Sequence, residues 1–271
     1  MLVGALACVV VAAPVFAFVS RSTHMTAVRA PLTVASSTAT CPAGQHVLFG
    51  GFDVSPPRSG RRNQSGIATG MRRTANDRWT VDAFNAGEPT AKGVIGPSPP
   101  LSVSSMAYCG FGPVPSKATS TVQIRIGRRA SGSATARCPA GTVVVAGGFA
   151  STAHSLVAVT GLERVAADQW RVTAYLPAAI AGSTVVGLTS VAYCGPGPAP
   201  KLASRTIKSP IGGTARATCP VGTTLAFGGA IVPTGSAGSD ITYLKTLRAE
   251  TQSRWSAGGV GGKLTALAYC R

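Results

Sequence analysis

The sequence predicts an all-β protein of three disulfide-closed repeats in a pseudo-threefold β-prism or trefoil-like arrangement, and three observations carry that prediction. A short opening motif recurs as CPAGQHVLFGGF from Cys41, CPAGTVVVAGGF from Cys138 and CPVGTTLAFGGA from Cys219. A closing motif recurs as VSSMAYC, LTSVAYC and LTALAYC, ending at Cys109, Cys194 and Cys270. Beyond residue 30 the apolar residues fall in short runs bounded by Gly, Pro, Asn and Asp, and no helical stripe appears.

The chain opens on an apolar stretch, Leu2 to Val19, followed at once by Ser20-Arg21-Ser22. An export signal is the first reading, with Val15-Phe16-Ala17 as its cleavage site. An uncleaved membrane anchor is the second, because 18 residues make about 27 Å of helix. A buried segment is the third. No cation precedes the stretch, and Arg21 and Arg29 follow it. Residues 1–20 are assigned to this signal peptide or anchor.

The repeats then run over 26–109, 110–194 and 195–270, together one domain over 26–270. In each, Cys-Pro-x-Gly leads into a short apolar strand that ends at Gly-Gly, as a bulge or tight bend requires. Next come TGMRRTANDRW (69–79), TGLERVAADQW (160–170) and the looser KTLRAETQSRW (245–255). Asn76-Asp77 and Ala167-Asp168 mark hairpin turns, since Asn and Asp bond their own backbone and tolerate left-handed dihedrals. Along the second hairpin strand, Trp170, Val172 and Ala174 point inward while Arg171, Thr173 and Tyr175 point outward. The matching segments CGFGPVPSKATSTVQI from Cys109 and CGPGPAPKLASRTIKS from Cys194 place one further short strand before each opening cysteine. Three separate small domains in a row are the alternative to a shared prism or trefoil.

Seven cysteines become six once Cys8 is assigned to the export segment, and six cysteines allow fifteen pairings. The repeat selects one of them: Cys41–Cys109, Cys138–Cys194 and Cys219–Cys270. Such bonds persist in an oxidising compartment, so the protein is expected to be secreted or associated with the cell envelope. No metal site is expected, because CxxC spacing is missing and His24, His46 and His154 have no counterparts between repeats.

Net charge is +17, from 25 Lys and Arg against 8 Asp and Glu. Compositional bias towards Ala, Gly and Arg is one reading of this charge, and an acidic partner is the other. Arg58, Arg61, Arg62, Arg72, Arg73 and Arg78 are the candidate anion-binding residues, since guanidinium forks suit phosphate, sulfate or carboxylate. An anionic polysaccharide or cell-wall polymer is the expected partner. Nucleic acid is not, because aromatics are not interleaved with the arginines. A membrane is expected to be touched only through the N-terminal segment, if that segment is uncleaved.

Trp79, Trp170 and Trp255 read as core residues or as a glycan-stacking platform, and Tyr108, Tyr193 and Tyr269 as packing beside the disulfides. The catalytic motifs HExxH, GxSxG, the phosphate loop and the dinucleotide fingerprint are missing, and no cofactor is implied. Asp77 and Asp168 share a turn position, while Glu88, Glu163 and Glu250 form no evident pair. His46 stands where the other copies have Val143 and Thr224, and is the one candidate base. These features favour a secreted or envelope-associated, non-catalytic binding or structural protein. A secreted hydrolase with a dispersed active site is the alternative.

The Cys-Pro-x-Gly opening and the cysteine closing an apolar strand resemble the vitelline membrane outer layer protein family, which implies a three-sheet β-prism. They are also similar to uncharacterised secreted actinobacterial proteins with repeated Cys-Pro-Ala-Gly and Gly-Gly motifs. The resemblance covers the ends of each repeat. It implies no functional residue here, since the family's Asp-Asp-Thr segment is missing and the loops are longer.

Overall fold

A computed structural model describes residues 18–28, 33–55, 66–85, 88–89, 95–96, 101–125, 130–152, 157–176, 185–208, 213–233, 243–260 and 262–271. The first repeat forms β1 (Ser20–Val28), β2 (Val34–Thr40), β3 (His46–Ser55), β4 (Gly66–Ala75), β5 (Arg78–Asn85), the two-residue strands β6 (Glu88–Pro89) and β7 (Ile95–Gly96), and β8 (Leu101–Gly110). The second forms β9 (Ser116–Arg125), β10 (Ala130–Arg137), β11 (Val143–Ser151), β12 (Ala158–Ala166), β13 (Gln169–Leu176) and β14 (Val185–Gly195). The third forms β15 (Lys201–Lys208), β16 (Thr214–Thr218), β17 (Leu225–Ile231), β18 (Tyr243–Thr251), β19 (Arg254–Val260) and β20 (Lys263–Cys270).

These strands build three six-stranded sheets, ordered β1-β8-β3-β18-β19-β16, β2-β5-β4-β11-β14-β9 and β10-β13-β12-β17-β20-β15, while β6 pairs with β7. Each repeat gives its first, third and last long strands to one sheet and its second, fourth and fifth to another, so every large sheet joins halves of two repeats. That interleaving excludes three separate domains. The three distinct sheets also decide for a pseudo-threefold prism over a trefoil, which would need a closed barrel.

Two details differ from the sequence reading. Two strands rather than one precede each opening cysteine, as β9 and β10 do, because the chain turns a corner between them into a different sheet. The first repeat also starts at Ser20 rather than 26: β1 pairs in register with β8 from Ser20↔Cys109 to Val28↔Leu101, matching β9 on β14 and β15 on β20.

The Gly pair has two separate jobs. A Cβ on Gly50, Gly147 or Gly228 would overlap the indole of Trp79, Trp170 or Trp255, so the first Gly makes room for the repeat's own Trp. A Cβ on Gly51, Gly148 or Gly229 would overlap the carbonyl of Leu247, Met71 or Leu162 on another repeat. The second Gly therefore lets β3, β11 and β17 approach β18, β4 and β12, which are the seams of the three sheets.

One apolar core draws on all three repeats. Ile67, Ala158 and Tyr243, at equivalent places near the starts of β4, β12 and β18, form a second small cluster. The disulfides Cys41–Cys109, Cys138–Cys194 and Cys219–Cys270 are formed as the repeat implied, with Cα separations of 5.7, 5.6 and 5.7 Å. Each joins the chain just after one sheet's edge strand to the repeat's last strand, which lies in a neighbouring sheet, so the three together pin all three sheets at one end. They belong to an oxidising, extracytoplasmic environment.

Candidate functional site

The disulfide end is assembled from tight turns. Gly44, Gly141 and Gly222 hold φ of 78°, 78° and 82°, which is why each opening motif needs Gly there. The hairpin turns dock on these openings through Cys41 N–H to Asp77 O (2.7 Å), Cys138 N–H to Asp168 O (2.8 Å) and Cys219 N–H to Ser253 O (2.8 Å). Asp77 and Asp168 thus have the turn role their shared position suggested.

β-bulges shift the register between Val47 and Phe49, Val144 and Ala146, and Leu225 and Phe227. The three bulge residues, Leu48, Val145 and Ala226, converge with Pro113, Val114 and Pro115 on a pocket of about 50 Å³, with Arg271 also in its wall. That volume suits a few waters or one small apolar group.

Behind the pocket, the closing tyrosines do more than pack beside disulfides. The phenol oxygen of Tyr193 accepts the Arg73 N–H at 2.5 Å, that of Tyr269 accepts the Arg164 N–H at 2.8 Å, and that of Tyr108 accepts the Ala249 N–H at 2.7 Å. Each bond crosses from one repeat to another. The guanidinium of Arg73 lies 4.9 Å over the Tyr193 ring and donates to the Pro115 carbonyl at 2.5 Å. Arg164 repeats this over Tyr269 at 4.8 Å, donating to the Pro200 carbonyl. Burial lowers the pKa of both guanidinium groups, with the facing tyrosines opposing the shift.

The expected anion-binding arginines do not form one face among the described residues. Arg72 bonds Asp82 at 2.5 Å on the outer side of β4, Arg73 tucks inward, and Arg78 is exposed 4.0 Å from Asp77. Adjacent strand residues point to opposite faces, so Arg72 and Arg73 cannot cooperate. Arg58, Arg61 and Arg62 lie outside the described residues. The glycan-stacking expectation is corrected outright: Trp79, Trp170 and Trp255 are 0–1% exposed, because each fills the space left by the first Gly of its pair.

His46 is buried at 6% exposure, and the charged group that faces it is Arg73. Burial, then the arginine, lowers its pKa. Asp53, Asp77, Asp82, Glu163, Asp168 and Glu250 are each paired with arginine, at 2.5–4.0 Å. Exposed pairs of this kind contribute little stability, about 0–1 kcal/mol each. Their consequence is electrostatic, since they leave cations elsewhere without a carboxylate.

Those cations collect on the third repeat. Lys201, Arg205 and Lys208 of β15 and Lys263 of β20 are all exposed, and neither strand contains an acid. Lys208 stands opposite Lys263 in the ladder, two rungs beyond Thr206↔Thr265 and on the same face, where the threonine hydroxyls bond at 2.9 Å. Like charges directly opposite are destabilising unless an anion lies between them. The equivalent step in the second repeat has Thr121 and Thr189 bonded at 2.8 Å, followed by Gln123 opposite Gly187. The cation pair therefore belongs to the third copy alone. It was missed in the sequence because its partners lie in strands joined only by the fold.

The fold and these sites define a disulfide-pinned, pseudo-threefold β-prism. A scan against protein-family models finds no match, and a search of the curated proteins finds none.

Proposed function

We propose that the protein is a secreted or envelope-associated, non-catalytic binding protein that engages an anionic polymer, such as an acidic cell-envelope glycan, through its exterior. One observation carries the reading: the Lys208–Lys263 pair beside the Thr206–Thr265 hydroxyl pair, on one face of the β15 edge strand. Ammonium groups supply the attraction to sulfate, phosphate or carboxylate, and adjacent hydroxyls donate to the same oxygens. The prism is a suitable carrier because its strands are tied at one end by three disulfides. The excess charge of +17 draws a polyanion towards every face and raises the encounter rate. Arg58, Arg61 and Arg62 are proposed to add to this attraction.

A glycan array probed with the disulfide-intact protein tests the proposal. Acidic polysaccharides are expected to be retained and neutral ones not. Retention of neutral glycans alone, or of none, contradicts it.

A further inference from the structure

The disulfide end carries a second surface feature that polymer binding does not use. Six of the eight exposed large apolar side chains among the described residues lie there: Val19, Phe111, Val114, Val165, Leu202 and Val221. Val221 sits at the tip of the third Cys-Pro-x-Gly turn, fully exposed, where the other copies have Ala43 and Ala140. Phe111 and Val114 belong to the segment between β8 and β9, at 59% and 40% exposure, and Leu202 stands beside Tyr269 at 55%. Exposed apolar residues gathered in one place mark an interaction surface, whereas scattered ones do not.

Two observations identify the occupant. Exposed cations ring these residues at the same strand ends: Arg21, Arg78, Lys117, Arg137, Lys201 and Arg254. Of these, Arg78, Arg137 and Arg254 pair with the nearby acids Asp77, Asp168 and Glu250, so the excess positive charge is that of Arg21, Lys117 and Lys201. The chain also enters the fold at this end. Phe18 packs on Phe49 and Tyr108, and the Val19 N–H bonds the Cys109 carbonyl at 2.8 Å. Phe18 and Val19, the last two residues of the apolar run, thus lie beside Tyr108 and Cys109.

We propose that the disulfide end is a membrane-facing surface that docks on an anionic lipid bilayer. Apolar tips enter the headgroup boundary while surrounding Lys and Arg meet lipid phosphates, the combination that gives interfacial binding. The polymer-binding reading stands or falls separately.

The test places an environment-sensitive fluorophore at Val221→Cys, or at Val185→Cys near the opposite end, in the full chain carrying Cys8→Ser. Vesicles of phosphatidylcholine with phosphatidylglycerol are then added. The probe at 221 is expected to shift to the blue and to be quenched by brominated acyl chains, and the probe at 185 to do neither. Phosphatidylcholine vesicles, or the added pair Phe111→Asp and Leu202→Asp, are expected to abolish the shift. A probe at 221 that stays in water while the protein co-sediments would show that the N-terminal stretch alone holds the membrane, and would overturn the proposal. Equal shifts at both positions, or no co-sedimentation, would overturn it too.

Discussion

The phenol oxygen of Tyr193 accepts the backbone N–H of Arg73 at 2.5 Å across 120 residues of sequence, so a side chain of the second repeat completes the backbone bonding of the first. Tyr269 and Tyr108 close the same circuit between the other repeats. The prism is thus held around its circumference by three equivalent buried hydroxyls as well as by the three disulfides.

Removing one hydroxyl leaves a backbone N–H without its acceptor while the ring still packs. Tyr193→Phe is expected to lower stability by about 1–2 kcal/mol, the usual cost of stranding one partner. The three hydroxyls share no hydrogen-bond partner, so losses in the triple Tyr→Phe variant should add. Urea unfolding with disulfides intact measures both.

The same tyrosines set the alkaline limit. Burial pushes Tyr108, Tyr193 and Tyr269 up to about 12, against the opposing pull of backbone hydrogen bonds and nearby arginines. An unfolded phenol ionises near ~10. Between these values the unfolded chain holds fewer protons than the folded one, so stability falls as pH rises through this window. Phenolate absorbance should show these groups ionising at about 12 or together with unfolding, and urea midpoints should drop from pH ~10 upwards.

The Gly pairs give a positional test. Gly147→Ala forces a methyl into the Trp170 indole and is expected to cost several kcal/mol, at roughly the upper end of overpacking. Gly262→Ala meets nothing within 4 Å and should leave the unfolding midpoint almost unchanged. Equal effects at the two positions would contradict the packing described.

Disulfide pairing is checked by non-reducing peptide mapping, which should yield only Cys41–Cys109, Cys138–Cys194 and Cys219–Cys270. Loops spanning 51–68 residues are each worth about 4 kcal/mol on the chain-entropy model. The Cys138→Ser/Cys194→Ser variant is therefore expected to lose a stability increment of that size.

Much of this architecture was legible in the repeat. Cys-Pro-x-Gly, Gly-Gly, Trp and Ala-Tyr-Cys recur because each meets a local demand that every copy shares: a positive φ at Gly44, space for Trp79, a cross-link at Cys109. Interleaving was not legible, since strand partners such as Thr246↔Asp53 are chosen by the closing of the whole prism and leave no periodic trace in either strand. The site was read less well for the same reason. Arg72 and Arg73 are adjacent in sequence but face opposite sides, whereas Lys208 and Lys263 are distant in sequence and share one rung. Charge clustering along a chain predicts a patch only when strand alternation and pairing bring the charges to one face.

The most direct test of the functional account is the salt dependence of binding to an immobilised acidic polysaccharide, comparing the intact protein with Lys208→Ala/Lys263→Ala and with Arg58→Ala/Arg61→Ala/Arg62→Ala. The account predicts the greatest loss of retention for the first variant, with elution at markedly lower salt and unchanged thermal stability. Elution of that variant at the same salt as the intact protein would contradict it.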